Sequence, residues 1–297
     1  MLDRNTILRV ACIDIGSNTT RLLVADVDDG RLEVVSQEKA FIALGRELGT
    51  DGRIGQAKLA ELMQVVEAQV VAAQRLGATE VRAVATAAVR RAANGRRLVR
   101  DVAERTGTEI EILSAGEEAR LAFVGAVGML DEPPTGLVAV LDIGGGSSEL
   151  VIGEPGWPPV WWESVPLGSS TITERWLHSD PPHPSELSAA LQRVRVAVAG
   201  LSPPRPVQAL AVGGSATSLG RVAGRLLDGP AFARALYLLG TEPAATLGHR
   251  LGVDPRRVRL LPGALLLLEA LAARLGVSLA VGRGGIREGL LLELAVR

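Results

Sequence analysis

Ile13-Asp-Ile-Gly-Ser-Asn-Thr-Thr-Arg-Leu-Leu-Val-Ala25 aligns without a gap on Leu141-Asp-Ile-Gly-Gly-Gly-Ser-Ser-Glu-Leu-Val-Ile-Gly153. The copies lie 128 residues apart, and each consists of two short apolar runs joined by a Gly/Ser/Thr loop. Such runs are typical of buried strands. A solenoid repeats over 20 to 50 residues, which is far shorter than this spacing. The repeat therefore predicts two related domains, each containing one strand-loop-strand copy.

Length and composition agree with a globular protein of two domains. The 297 residues are 47% hydrophobic and 22% charged, with a formal net charge of -1. A chain so close to neutral has no overall positive field to attract nucleic acid or a membrane surface. The single cysteine, Cys12, excludes an internal disulfide and favours a reducing cytoplasm. No apolar run approaches ~18 residues, and Met1–Arg9 does not resemble a signal peptide, so we expect neither a membrane span nor secretion.

Periodicity in the rest of the chain predicts an α/β fold. Strand-like runs alternate with helical patterns in both halves. The break at Pro133–Gly136 favours a first domain over residues 1–128 and a second over 129–285. The C-terminal helix, at about 286–297, could pack back on the first domain. Three tryptophans beside a Pro-rich loop suggest core or interface packing: Trp157, Trp161 and Trp162.

The paired loops have the chemistry of an anion site. Glycine lets backbone N–H groups approach an anion closely, and Ser and Thr add hydroxyl donors. An Asp at the strand end cannot bind phosphate but can hold Mg²⁺. Ordinary hairpins whose glycines serve only the turns are the alternative for one loop, whereas two copies in register favour the anion site. The candidate phosphate-binding residues are Gly16, Ser17, Asn18 and Thr19 in the first loop, Gly144, Gly145, Gly146 and Ser147 in the second, and Gly213-Gly214-Ser215 after a later strand.

Six motifs in a fixed order resemble one known family. They are Asp14-Ile-Gly-Ser-Asn-Thr, Ala85-Thr-Ala-Ala-Val-Arg90-Arg-Ala-Ala-Asn94, Glu117-Glu-Ala-Arg-Leu121, Asp142-Ile-Gly-Gly-Gly-Ser-Ser-Glu149, Gly213-Gly-Ser-Ala-Thr217 and Gly285-Ile-Arg-Glu-Gly289. This set resembles the exopolyphosphatase / guanosine pentaphosphate phosphohydrolase family over almost the whole chain. The resemblance implies two actin/Hsp70/sugar-kinase-like (ribonuclease H-like) domains with an interdomain cleft. It also implies the short two-domain form, since longer members carry extra C-terminal helical domains.

The resemblance implies an activity and the residues for it. The expected reaction is Mg²⁺-dependent removal of a terminal phosphoryl group from inorganic polyphosphate. The catalytic base of the family corresponds to Glu118, and its phosphate-binding arginine corresponds to Arg90. Without the resemblance, Glu118 would be interpreted as a solvated carboxylate in the first turn of a helix, where the helix dipole favours a negative charge. A capping box of Ser114 and Glu117 would occupy Glu117 with backbone and leave Glu118 to point elsewhere.

Asp142 and Glu149 flank the second loop and are the expected supports for the metal and the water, with Asp14 as a further metal ligand. Glu149 replaces Arg21 of the first copy. We therefore expect an asymmetric clamp, in which the first loop mainly grips phosphate and the second supplies acids for the metal.

Three alternatives to an exopolyphosphatase remain open on the sequence alone. The substrate could be guanosine pentaphosphate (pppGpp), hydrolysed at its 5′ end. A kinase or ATPase of the same fold would transfer phosphate to a small acceptor. A non-catalytic sensor would bind polyphosphate or the alarmone without turnover, although the intact Glu118, Asp142 and Glu149 count against it. A homodimer is a candidate assembly.

Overall fold

The computed structural model describes residues 7–28, 30–47 and 52–294, without the side chains of residues 46 and 47. It divides into two compact units. The first unit contains Met1–Met129 and Gly284–Arg297, and the second contains Leu130–Arg283. None of the described helices is long and apolar enough to cross a membrane.

The first unit is a five-stranded sheet with helices on both faces. Its strands are ordered β3-β2-β1-β4-β5; β1, β2 and β3 are antiparallel, while β4 and β5 run parallel to β1. Its strands are β1 Leu8–Ile15, β2 Thr19–Asp28, β3 Arg31–Phe41, β4 Glu80–Ala85 and β5 Ile110–Ile112. Its helices are α1 Gln56–Arg75, α2 Ala87–Arg91, α3 Gly95–Thr106, α4 Ala115–Gly128 and α12 Ile286–Leu294, with a 3₁₀ turn at Leu44–Glu47.

Strand β1 is the centre of this unit because it is apolar on both faces. Ile13 and Ile15 pack in the same buried cluster as residues of α1 and α3. Val10 and Cys12 point the other way and pack with Leu121 of α4 and with residues of α12. Burial raises the pKa of the Cys12 thiol well above its usual value. Cys12 is therefore a packing residue, as its apolar surroundings in the sequence predict.

The second unit repeats this arrangement and adds one short strand. Its order is β10-β11-β9-β6-β7-β8, so β8-β7-β6-β9-β11 matches β3-β2-β1-β4-β5. Its strands are β6 Val138–Ile143, β7 Ser148–Gly153, β8 Trp161–Val165, β9 Gln208–Val212, β10 Leu226–Leu227 and β11 Leu279–Val281. Its helices are α5 Ser169–Trp176, α6 Pro184–Val198, α7 Gly213–Ala223, α8 Gly229–Thr241, α9 Ala244–Leu251, α10 Pro255–Val258 and α11 Leu261–Leu275. The prediction of two related α/β units is confirmed.

Local expectations failed where the sequence pattern was weak. Strand β8 has no counterpart in the sequence prediction. Of the three tryptophans, for which core or interface packing is expected, two are exposed, and interface packing stays a prediction for them. Trp157 is 69% exposed and Trp162 is 46% exposed, whereas Trp161 packs against the core. After β4 the chain forms two helices, α2 and α3, with a break at residues 92–94.

Candidate active site

The two matching loops are hairpin turns of the same geometry. The Gly16 N–H donates to the Thr19 carbonyl at 3.0 Å, and the Gly144 N–H donates to the Ser147 carbonyl at 3.1 Å. The strands they join pair in the same register, with Asp14 opposite Arg21 and Asp142 opposite Glu149. The glycines are therefore part of ordinary hairpin turns, and an anion site needs a further structural feature in each loop.

That feature in the second loop is the direction of its peptide groups. The Gly144 carbonyl accepts from the Ser169 N–H at 2.9 Å, and the Gly145 carbonyl accepts from the N–H groups of Ser170 (3.0 Å) and Thr171 (3.1 Å). The hydroxyl of Thr171 adds a bond to the Gly146 carbonyl. Because the N–H and C=O of a trans peptide point in opposite directions, the three amides that follow these carbonyls point away from α5. Successive amides that point the same way form an anion-binding concavity.

The first loop is held in a similar way by the segment after β3. The Ser17 carbonyl accepts from the Gly45 N–H at 2.8 Å, and the Asn18 carbonyl accepts from the N–H groups of Ile42 and Ala43 at 2.9 Å each. The amides of the next two residues therefore point away from that segment.

The support of the second loop, which the sequence did not reveal, is the first turn of α5 together with the glycine before it. A Cβ on Gly168 would lie 2.4 Å from the Gly145 carbonyl carbon and 2.6 Å from the Gly144 carbonyl oxygen. Only glycine allows this approach of two backbones. The signal in the sequence was the run Gly168-Ser-Ser-Thr171, which begins a helix.

Two carboxylates lie side by side next to the second loop. Asp142 on β6 and Glu149 on β7 are directly opposite in an antiparallel pair, so their side chains share one face of the sheet. Glu149 is only 4% exposed, and its Oε1 accepts from the Ser164 hydroxyl at 3.0 Å. The structure thus brings together two acids that the sequence predicts as supports of a metal.

The predicted site at Gly213-Gly214-Ser215 begins helix α7, next to Asp142. Gly213 has a φ of +81°, and a Cβ there would lie 2.4 Å from Asp142 Oδ1. The N-terminal amides of an eleven-residue helix favour an anion. Gly213 is therefore required both for its backbone conformation and for the close approach of the Asp142 carboxylate.

Asp14 of the first unit has different neighbours. Burial raises its pKa, while the charges of Arg21 and Arg287 oppose that rise. Its Oδ1 is buried without a hydrogen-bond partner among the described residues. Arg287 also donates to the Leu22 carbonyl at 3.3 Å and pairs with the buried Glu288. These two residues belong to the Gly285–Gly289 motif, to which the sequence assigned no side-chain role.

Glu118 and Arg90 lie together in the first unit. Glu118 is in the first turn of α4 and is 3% exposed, so the reading as a solvated carboxylate is wrong. Arg90 Nη1 donates to Glu118 Oε1 and, at 2.7 Å, to the Leu113 carbonyl. The proposed base and the proposed phosphate-binding arginine therefore form an ion pair in the described structure.

The expected capping box at the start of α4 is only half present. The Ser114 hydroxyl accepts from the Glu117 N–H at 3.1 Å. The Glu117 carboxylate is held instead by Arg120, which also pairs with Glu293 of α12. Arg120 sits one turn along the helix and offers a charged fork, which binds a carboxylate more strongly than a backbone amide does.

Within the described ranges, no three Asp, Glu, His or Cys side chains converge as a metal cluster. In the second unit, Asp142 and Glu149 lie on neighbouring strands and are the acids assigned to a cation. Asp14 belongs to the first unit, and its assignment as a metal ligand stays a prediction.

Comparison with known proteins shows the family of the chain. The sequence profile of the Ppx/GppA phosphatase family matches residues 23–224. The chain belongs to this family. Exopolyphosphatase 1 of Mycobacterium leprae is 31% identical over 310 residues, which cover 96% of this chain and 89% of that protein. Exopolyphosphatase 2 of Mycobacterium tuberculosis is 37% identical over 201 residues, or 63% of this chain. The match spans only 60% of the length of that second relative.

Solved structures of the Ppx/GppA family have the same fold. The Aquifex aeolicus PPX-GPPA enzyme superposes with a TM-score of 0.81 at 27% identity, covering 97% of this chain and 100% of that one. An exopolyphosphatase from Cytophaga hutchinsonii superposes with a TM-score of 0.83 at 22% identity, covering 96% and 97% of the two chains. The Aquifex match supports family membership as well as fold, and the Cytophaga match supports the fold.

Proposed function

We propose that this Ppx/GppA family member is an exopolyphosphatase, which hydrolyses the terminal phosphoanhydride bond of inorganic polyphosphate. The observation that carries the proposal is the buried Glu118 paired with Arg90. A protein that only binds polyphosphate does not need a buried carboxylate beside the arginine assigned to phosphate, because burying a charge is costly. Two relatives that match most of this chain's length are named exopolyphosphatases, which supports the same activity.

Each group has a distinct part in the proposed reaction. Loop amides and Arg90 would bind the terminal phosphoryl oxygens. Glu118 would accept the proton of the attacking water. A new P–O bond forms as the bridging P–O bond breaks, which releases orthophosphate and a shortened chain. Positioning and charge neutralisation account for most catalysis of this type.

The acids of the second unit fit Mg²⁺, which takes hard oxygen ligands. Asp142 and Glu149 would hold it. Gly213 leaves space for the Asp142 carboxylate, because a Cβ on residue 213 would lie 2.4 Å from Asp142 Oδ1. Asp14 of the first unit stays a predicted metal ligand, and its Oδ1 is buried without a hydrogen-bond partner among the described residues. When bound, the metal would neutralise charge on the phosphoryl oxygens. A cytoplasmic location and a homodimer stay predictions.

A parallel phosphate-release assay tests the proposed function. The substrates are short polyphosphate, long polyphosphate, guanosine pentaphosphate and ATP, each with Mg²⁺ and with a chelator. We expect Mg²⁺-dependent release from polyphosphate above all. Preferential release from guanosine pentaphosphate would favour the alarmone phosphohydrolase. ATP turnover that needs an acceptor would favour a kinase, and tight binding with no turnover would favour a sensor.

Replacing Glu149 by Gln should lower kcat by about 100-fold or more and change KM little. The reason is that Glu149 is assigned to the metal, whereas loop amides and Arg90 are assigned to phosphate binding. Glu163→Gln is the control, because Glu163 is exposed on β8 and one residue from Ser164. Steady-state kinetics at several Mg²⁺ concentrations separate the two effects. A Glu149→Gln variant with weaker substrate binding and unchanged kcat would contradict the asymmetric clamp.

A further inference from the structure

Each sheet carries a row of three side chains across its antiparallel strands, next to the loop. Asp14 is opposite Arg21, which is opposite Lys39. At the equivalent places of the second unit, Asp142 is opposite Glu149, which is opposite Ser164. Directly opposite residues have side chains on one face of a sheet, so each row is a line of neighbours. We call these the first row and the second row.

The two rows share an aspartate at the first position and differ in charge at the other two. An acid is followed by two cations in the first row, whereas two acids are followed by a hydroxyl in the second. Like charges directly opposite one another destabilise a sheet. The second row therefore favours a divalent cation. Its third member is the uncharged Ser164, where the first row has Lys39. A lysine beside Glu149 would compete with the metal as a positive charge, while a serine hydroxyl orients the carboxylate without adding charge.

Ser164 has the contact that this role needs. Its hydroxyl donates to Glu149 Oε1 at 3.0 Å. Its backbone is fixed by the pairing of β8 with β7, and the next residue, Val165, is buried in the core. Glu149 has three side-chain torsions, and a donor on a fixed strand restricts them. Hydrogen bonds to metal-ligating carboxylates typically contribute tenfold to a hundredfold in metal affinity or activity.

We propose that Ser164 is a positioning residue, which holds the Glu149 carboxylate in the orientation that binds the divalent cation. The inference rests on the proposed function, because it assigns Glu149 to the metal. Ser164 acts through Glu149 and has no contact with the reacting atoms in this role. The sequence gives no sign of this role, because Ser164 is a lone serine that belongs to no motif.

Direct metal binding tests the proposal without relying on turnover. Mn²⁺, used as a spectroscopic substitute for Mg²⁺, is titrated into the substrate-free protein and followed by electron paramagnetic resonance. We expect Ser164→Ala to raise the Mn²⁺ dissociation constant about tenfold and to raise the Mg²⁺ concentration for half-maximal phosphate release by a similar factor. At saturating Mg²⁺ its kcat should approach that of the wild type. Ser164→Thr keeps the hydroxyl and should restore both values.

The controls separate positioning from a general structural effect. Ser36→Ala alters a partly buried serine on β3, the matching outer strand of the first unit, and should leave metal binding unchanged. Ser164→Val has the shape of the threonine variant without its hydroxyl and suits a strand, so it replaces the alanine variant if that one does not fold.

Two results would overturn the role of Ser164: wild-type Mn²⁺ affinity in Ser164→Ala, or no Mn²⁺ binding by the wild-type protein. If phosphate release from polyphosphate persists in the first case, the proposed function stands and the positioning role fails. Conversely, weakened Mn²⁺ binding in Ser164→Ala, with no polyphosphate turnover by the wild type, would support positioning and refute the exopolyphosphatase assignment.

Discussion

Phosphate release from polyphosphate should fall by about 10²–10⁴-fold when Glu118 is replaced by Gln. Glutamine keeps the shape of the side chain and can still accept a hydrogen bond from Arg90, but it cannot take a proton from water. The variant should therefore fold and bind polyphosphate as the wild type does. The loss should appear in kcat, with KM nearly unchanged.

Glu117 supplies the matched control, since it is the adjacent carboxylate in the same helical turn. It is more exposed and is held by Arg120, so Glu117→Gln should weaken that contact and leave kcat within a few-fold of the wild type. Single-turnover phosphate release and an independent polyphosphate-binding assay are measured on all three proteins. Full activity of Glu118→Gln would remove Glu118 as the base. If the wild type and Glu118→Gln bind polyphosphate equally and the wild type shows no turnover, the protein is a sensor.

The fold could be predicted from the sequence where apolar patterns repeat or are strong. The ungapped match of the two loops predicted equivalent strand pairs. In the structure these pairs are β1 with β2 and β6 with β7. Strand β8 was missed because Trp161 and Trp162 are adjacent and therefore point to opposite faces, which gives no apolar alternation. Strand β3 continues through a polar segment to Phe41 because pairing with β2 stabilises that half, which has no apolar pattern in the sequence.

The candidate site was accessible from the sequence as a set of residue types, but its contacts were not. Self-alignment predicted that Asp142 and Glu149 would be equivalent to Asp14 and Arg21. It gave no indication that Ser164 lies beside Glu149, because that contact depends on the register of β7 with β8. The burial of Glu118 also depends on tertiary structure, since a carboxylate in a first helical turn is normally solvated.

Glu288 shows the same limit. It lies in the first turn of α12, which follows β11, as Glu118 lies in the first turn of α4, which follows β5. Both carboxylates are buried and paired with arginine. The local sequences of the two helices differ too much for this correspondence to appear by alignment, so only the common strand order shows it.

A single methyl group at Gly289 should destabilise the first unit by about 1–3 kcal/mol or more, as overpacking does in other cores. Helices α4 and α12 touch through their backbones there. A Cβ on residue 289 would lie 2.1 Å from the Leu121 carbonyl oxygen and 3.1 Å from the Gly125 nitrogen. Neither backbone atom can move away as a side chain could, so the helices must separate. The melting temperature of Gly289→Ala should fall by roughly 2–4 °C for each kcal/mol lost.

Gly229→Ala is the matched control, because Gly229 also lies in a helix but has no atom within 4 Å of the added Cβ. That change should be neutral or stabilising by about 0.4–1 kcal/mol. Hydrogen exchange followed by mass spectrometry locates the effect: in Gly289→Ala, exchange should rise in α4 and α12 and not in the second unit. Since α4 also carries Glu118, separation of the two helices should lower kcat as well. A variant with wild-type stability, exchange and kcat would mean that the contact between α4 and α12 does not fix the position of Glu118.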